Sequence, residues 1–591
     1  MSKSMADLPK SNPVQAINDG MGGLFELSEK DGLVHFEHYS FVNGNDNKGG
    51  KVTRICNFIK VIAHTSDHHQ QGTDSGRLVA FDDERGTAKE LFIPLRLMVG
   101  NALELSALLM DNGLVITNTN KARQLLTTYL SIETRKNHIY TSDRIGWHGD
   151  TYLLPKAAIS PNDALALRYK ANGEYPPFEQ RGSLEEWISG VSKHAIGNNR
   201  LLLALSLAFA APLSRLMGNS TSIGFHFRGA SRTGKSTIAK AALSVYGEPM
   251  QRLRTWHSTA TALEGTALAF NDNLLVLDEL SQSDEQSLSQ TIYGIGNGIE
   301  KGRGKAQGGN RPFKRWHLLY LSTGEESLST KLAKAKRKPN AGMDMRFIDL
   351  DADAGKGLGL FDTVPDGEDA GALSDLIQQN ANSYHGTAGA QWLKYLVNHK
   401  DEVTKQAREA IGEFKRLAIT NHHTAQHKST SAYFALIGIA GEIATVQGLT
   451  GWNDGDAWRA AFIMFANWVD NFGHGLKESQ AVIEQVTSFI QSHGASRFEG
   501  IYSDSENSKP IINRAGFVRV NESNETEYLF FPATFKNEVL AGLDLRTAIS
   551  ALKDAGMLHP RNENESQQVV RVQALGNNGG RYYVITLKKE S

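Results

Sequence analysis

Gly229-Ala230-Ser231-Arg232-Thr233-Gly234-Lys235-Ser236 has the glycine spacing and the Lys-Ser ending of a loop that grips the phosphates of a nucleotide. The residue types follow from the chemistry. Glycines let the backbone curl so that its N–H groups face an anion, and the helical run after the loop, Thr237 to Tyr246, aims its positive end at the same point. Lys235 is expected on the β and γ oxygens, Ser236 offers a hydroxyl to Mg²⁺, and Thr237 completes the nucleotide-binding set. A chance glycine-rich turn would lack a strand before it and a helix after it, whereas this loop follows the apolar run Ile223-Gly-Phe-His-Phe-Arg228.

A second chemical feature is Asn273-Leu-Leu-Val-Leu-Asp278-Glu279, an apolar run ending in two carboxylates. In a parallel sheet such a pair emerges at the carboxyl edge, beside the phosphate loop. Asp278 then belongs to the magnesium shell, and Glu279 polarises the attacking water. A single acid would also suit phosphoryl transfer to an acceptor, so the pair favours hydrolysis; which triphosphate is used stays open. A third run, His317-Leu-Leu-Tyr-Leu-Ser322-Thr323-Gly324-Glu325, ends in hydroxyls that could sense the γ-phosphate, and Thr323 joins Lys235 and Glu279 as a catalytic candidate. Hydroxyls that merely close a strand are the competing reading.

Between these runs lies a glycine-dense basic segment, Gly294 to Arg315, in which Lys301, Arg303, Lys305 and Arg311 suit sequence-independent contacts to a nucleic-acid backbone. A solvated surface loop would look the same. The basic run Lys331 to Lys338 reads as a solvated helix face. Arg346, in Gly342-Met-Asp-Met-Arg346-Phe-Ile-Asp-Leu, stands at the start of another strand, where it is either a structural ion-pair partner or an arginine that reaches a neighbouring subunit's γ-phosphate, with Arg337 in reserve.

These residues require a particular scaffold. From about 181 to 370, strand-like runs (223–228, 251–256, 274–277, 317–322, 346–350) alternate with helical ones, which predicts an α/β P-loop core with a parallel sheet. Residues 1–20 read as a disordered lead and 21–180 as a small α+β domain. Residues 371–490 read as a helical lid or bundle, with 432–446 and 457–469 strongly apolar. In 491–591 a helix (544–555) and two strand-like runs (569–575, 581–587) predict a winged-helix-like domain, a pattern that a small structural α+β domain would share.

Composition bounds the rest. A chain of 591 residues exceeds the roughly 250 to 300 at which single cores stop growing, so several domains are expected. With 63 basic and 64 acidic residues the molecule is no general polycation, and any nucleic-acid site is local. One cysteine, Cys56, excludes a disulfide framework or a cysteine-rich zinc site and fits a reducing compartment. The amino terminus lacks an apolar core, and Leu201 to Leu213, interrupted by Pro212, reads as too short to span a bilayer. A cytoplasmic, non-membrane protein is expected.

Taken together, Arg144-Ile-Gly-Trp147-His-Gly, Arg254-Thr-Trp-His, the Asp278-Glu279 pair, Tyr293 to Arg303, Leu321-Ser-Thr-Gly-Glu, Ala341-Gly-Met-Asp-Met-Arg-Phe, Phe434 to Ala444 and Arg581-Tyr-Tyr-Val resemble the domain-of-unknown-function 927 family, from about residue 20 to the carboxyl terminus. The resemblance implies an AAA+ ATPase similar to minichromosome-maintenance-type helicases of phages, plasmids and mobile genomic islands. It further implies ATP and Mg²⁺ as cofactors, DNA as partner, and self-association into a ring, a hexamer by that comparison, with room for a primase or other replication partner. By the same comparison Lys301 to Arg315 stands where such helicases carry a DNA-touching hairpin, and Arg346 where they carry the arginine finger. The chain departs from the pattern in having Ser322-Thr323 in place of the usual asparagine sensor and no primase or zinc module ahead of the ATPase. The alternative is a nucleotide switch or scaffold ATPase that does not translocate; it predicts turnover indifferent to DNA.

Overall fold

In a computed structural model the described residues are 17–587 apart from 19–22, 31–32, 41–50, 69–73, 100–101, 133–136, 162–165, 171–174, 219–220, 285, 303–312, 335–340, 422, 473–475, 502–510, 522–523, 544, 561–565 and 573–578. Two compact units make up the chain: Met1–Glu413 with Tyr433–Met464, and Phe414–Ala432 with Phe465–Ser591.

The first unit is organised by a five-stranded parallel sheet in the order Arg254–Thr255, Leu274–Asp278, Leu319–Gly324, Ile223–Arg228, Phe347–Asp351. The strand bearing Thr323 therefore separates the loop strand from the acid strand. Val276 registers with Leu321, and Phe227 with Thr323. The three central strands are buried almost without interruption, as a sheet covered on both faces requires. One departure from the sequence reading lies at 251–256: Pro249 starts the short helix Pro249–Arg252, and only Arg254–Thr255 remain as strand. Proline at the first helical position explains the change, since its fixed φ is already helical.

Helix Asn199–Ser214 covers one face, with every residue from Arg200 to Ser214 buried. It continues through a 3₁₀ turn to Met217, so the apolar stretch is longer than the sequence reading gave. This segment and Ala425–Val446 are both long and apolar enough to cross a membrane by length and composition. In the first, 83% of the most apolar window is buried inside the protein, and the other packs Phe434 edge-on against Phe225 of the loop strand. Both behave as core helices.

Ahead of this sheet, in the same unit, come an antiparallel sheet built on Gly23–Lys30, Leu33–Ser40 and Lys51–Asn57, and a five-stranded mixed sheet centred on Ile59–Asp67. Helices Leu103–Asp111 and Asn120–Ile132 pack on them around Phe25, Phe36, Val61, Leu126 and Tyr129. A three-stranded sheet, Gly146–His148, Thr151–Leu153 and Ala158–Ile159, lies beyond.

The second unit holds a five-stranded sheet in the order Phe498–Gly500, Gly516–Val520, Thr526–Phe530, Gly579–Thr586, Gln568–Arg571. Helices Leu476–Arg497 and Leu545–Asp554 close its core around Val486, Phe530, Phe535 and Tyr583. The helix at 545–554 is followed by two antiparallel strands, the order read from the sequence.

Candidate nucleotide site

Gly229 leaves the loop strand with its N–H on the Gly324 carbonyl (3.1 Å), which ties the loop's origin to the end of the Thr323 strand. Thr233 Oγ1 donates to the Ala230 carbonyl at 2.9 Å and closes the loop from within. Gly234 has φ +88°, and a Cβ there would come within 2.2 Å of Leu360, so the position requires glycine on both counts. Helix Lys235–Ser244 begins at the next residue. Lys235 Nζ donates to the carbonyls of Gly229 and Ala230, each at 2.7 Å.

The loop borders a cavity of about 840 Å³ lined by Ser231 to Thr237, Glu279 and Glu325 on one side and by Gly357 to Phe361 with residues of helix Ala370–Ser383 on the other. The second wall was not read from the sequence. It is fastened to the loop helix by a polar seam in which Thr237 Oγ1 bonds the Ser374 hydroxyl and accepts from Gln378 Nε2 (3.0 Å), while Lys240 Nζ donates to Gln378 Oε1 (2.9 Å). The signal for it was present as the glycine alternation Gly355, Gly357, Gly359, all at positive φ. Gly359 lets the backbone pass close to Thr233, whose carbonyl oxygen a Cβ would meet at 3.3 Å.

The hydroxyls at the end of the third run divide cleanly. Ser322 Oγ accepts from Trp256 Nε1 (2.9 Å) and lies 2.8 Å from His226 Nδ1, while His226 Nε2 is 3.0 Å from the Glu326 carbonyl. A carbonyl can only accept, so Nε2 carries the ring proton and Nδ1 takes the Ser322 proton. Burial pushes His226 down to about 4, which keeps it neutral. Ser322 is thereby committed to a buried chain. Thr323 instead donates to Asp278 Oδ1 and accepts the Glu279 N–H at 3.1 Å. A hydroxyl has one proton, so in this arrangement Thr323 orients the acidic pair, and donating to a phosphate would require it to release Asp278.

Glu279 is in the left-handed region (φ 58°, ψ 79°), which turns its carboxylate away from the strand direction and onto the cavity wall. Of the remaining sequence candidates, Arg346 does not line this cavity. Its guanidinium donates to the Gly342 carbonyl (2.7 Å) and Asn297 Oδ1 (3.0 Å) and lies over the Tyr293 ring, so it is held by the helix Leu288–Asn297. Lys301 is exposed beside the stem of a hairpin, where Glu300 N–H donates to the Lys314 carbonyl and Trp316 N–H to the Gly298 carbonyl, both at 2.9 Å. Arg303, Lys305, Arg311 and Arg337 lie outside the described residues. Lys331 corrects the reading of 331–338 as a solvated face: it is 5% exposed, because its helix packs Leu328 and Leu332 into the core.

Far below the cavity, at the amino ends of the same strands, the Arg144-Ile-Gly-Trp147-His segment meets the sheet. Trp147 N–H donates to Asp272 Oδ2 (2.9 Å), Tyr152 OH to the Asp272 carbonyl (2.7 Å) and Asn271 Nδ2 to the Ile145 carbonyl (2.7 Å). Burial pushes the Asp272 carboxyl up to about 6, opposed by the Trp147 N–H and Arg144.

Comparison with known proteins comes to the same region. The profile of a family described as domain of unknown function (DUF927) matches residues 25–315, which includes the phosphate loop and the acidic pair. No curated protein matches the sequence. Among solved structures, one named "SCCmec type IV Cch, active helicase" superimposes with a TM-score of 0.66 at 19% identity, over 93% of this chain and 95% of that one. At that identity the likeness is one of fold.

Proposed function

For a chain whose residues 25–315 belong to the domain-of-unknown-function 927 family, we propose an ATP-hydrolysing motor that moves on DNA, a helicase or translocase working as a ring of identical subunits. The observation that carries the hydrolytic half is the single cavity edge where Ser231 to Thr237 and Glu279 meet, with Thr323 bridging Glu279 to Asp278.

The cavity fits a magnesium triphosphate. Its loop backbone and the start of helix Lys235–Ser244 suit the phosphates, Lys235 can exchange its two carbonyl partners for β and γ oxygens, and Ser236 and Asp278 would hold the ion. Bound Mg²⁺ supplies charge neutralisation at the transferring phosphoryl group. Glu279, aimed by its left-handed backbone, takes a proton from water while Thr323 keeps the Asp278 carboxylate fixed. The nucleobase would lie against Gly357 to Phe361 and helix Ala370–Ser383.

The motor half rests on the likeness of fold to a structure named as an active helicase and on the basic segment Gly294 to Arg315, whose sequence carries Lys301, Arg303, Lys305 and Arg311. Arg346 lies outside its own cavity and is held in place by Asn297 and Tyr293, which suits a group presented to a neighbouring subunit. We assign residues 491–591, in which helix Leu545–Asp554 precedes two antiparallel strands, as a winged-helix-like module.

The test is turnover by Arg346→Ala protein mixed in increasing ratio with wild type. A trans-acting arginine makes activity fall faster than the wild-type fraction, with single-variant turnover down by about a thousandfold. A linear fall would leave a chain that hydrolyses alone.

A further inference from the structure

Glu279 is aimed by a residue that the sequence alone places on a solvated helix face. Its left-handed backbone is one that a non-glycine residue keeps only where its surroundings enforce it. The enforcing element is the short turn Leu280–Gln282. Glu279 Oε1 accepts the Ser281 hydroxyl at 2.6 Å, and the Gln282 N–H donates to the Glu279 carbonyl at 3.1 Å.

That turn is held from beneath. Lys331 Nζ donates to the Ser281 carbonyl at 2.7 Å, reaching across from helix Leu328–Lys334. The helix is itself fixed: Thr330 N–H donates to Ser327 Oγ at its start, and Leu328 and Leu332 sit in the core of the sheet. A lysine at 5% exposure is unusual, because an ammonium taken out of water costs energy that methionine or leucine in the same space would not. The position makes sense if the donor has a task, and its bond to the Ser281 carbonyl, two residues from the Glu279 carboxylate, supplies one.

We propose that Lys331 is a positioning residue for nucleotide hydrolysis, which acts through Ser281 to hold the Glu279 carboxylate at the cavity wall. This rests on the reading of Glu279 as the group that polarises water.

The experiment is steady-state ATP turnover by the full chain as wild type, Lys331→Met, Lys331→Arg and Ser281→Ala, each with Glu279 intact and with Glu279→Gln. Expected is a fall in kcat of about tenfold or more for Lys331→Met with KM within about twofold, substantial recovery in Lys331→Arg, and a smaller kcat loss for Ser281→Ala. In the Glu279→Gln background, Lys331→Met should add nothing further, since both changes remove one function. An unchanged kcat, a loss expressed in KM, or an equal further loss without Glu279 overturns the proposal. Should Lys331→Met fail to fold, the exposed Ser281 decides: Ser281→Ala with unchanged kcat overturns it. Absence of turnover in the wild-type chain would instead sink the hydrolase reading itself, an outcome distinct from all of these.

Discussion

At the carboxyl ends of Leu274–Asp278 and Leu319–Gly324, charged groups face a cavity, Thr323 orients the acidic pair, and Glu279 keeps a backbone conformation enforced by its neighbours. At the amino ends of the same strands, Asn271, Asp272, Asn273 and His317 are each no more than 1% exposed, and the first three bond to Ile145, to Trp147 and Tyr152, and to Arg252. One sheet thus carries a fixed end and a working end. Burial makes each polar bond at the fixed end costly to break, because a freed donor or acceptor has no water to turn to. At the working end Ser236 is exposed and Lys235, Asp278 and Glu279 are half-buried, which keeps exchange of their bonds cheap, as a site that binds and releases a charged ligand needs.

Damage at the working end should therefore remove activity and spare the fold, and damage at the fixed end should do the reverse. Of the changes that set the two ends against each other, Glu279→Gln has the largest expected effect and should lower ATP turnover by a hundredfold or more while nucleotide binding, followed by calorimetry, is kept. Undiminished turnover would remove Glu279 from the mechanism. Next is Trp147→Ala, which deletes an indole that is 6% exposed, whose Nε1 donates to the Pro212 carbonyl. Denaturant unfolding should show a loss of about 3 to 5 kcal/mol, with turnover per folded molecule near wild type. A stable variant with crippled kcat would blur the two ends.

The smallest effect sharpens the contrast by pH. Asp272, raised to about 6 from an ordinary value near 4, binds its proton more readily when folded, so its contribution to stability is present at low pH and is lost as pH rises through 6. His317, its ring 3.9 Å from Asp272, is pushed by burial down to about 4, so its contribution is present above about 6.5 and is lost as pH falls through 4. Between pH 4 and 6 the two slopes oppose each other. Asp272→Asn should leave stability rising with pH across that window, and His317→Gln should leave it falling, by about 1 kcal/mol per pH unit. Parallel slopes in the two variants would contradict the assignment.

The sequence was most informative where residue type alone dictates geometry. The glycine loop, the apolar runs ending in Asp278 and Thr323, and the strand order's parallel character follow from local rules that tertiary contacts did not override. Partnerships between distant segments were closed to it. Nothing near Ser322 announces that Trp256 and His226 consume its hydroxyl, and nothing in the basic run at 331 distinguishes a buried lysine from its solvated neighbours. Arg144 to Gly149 stood out as a family mark, but its task, anchoring Asn271 and Asp272, depends on a contact across more than a hundred residues of chain. The cavity's far wall, Gly357 to Phe361, escaped for the same reason: glycines at positive φ read as turns until Leu360 and Thr233 are seen against them.

The central claim, a DNA-driven hydrolase, is tested most directly by ATP turnover of the purified chain with and without single-stranded DNA across a salt series, with Lys235→Ala as the blank. The account predicts stimulation by DNA that fades as salt rises, because the contacts are to phosphates, and no turnover in Lys235→Ala. Turnover that is indifferent to DNA at every salt concentration would contradict the motor and leave a nucleotide switch.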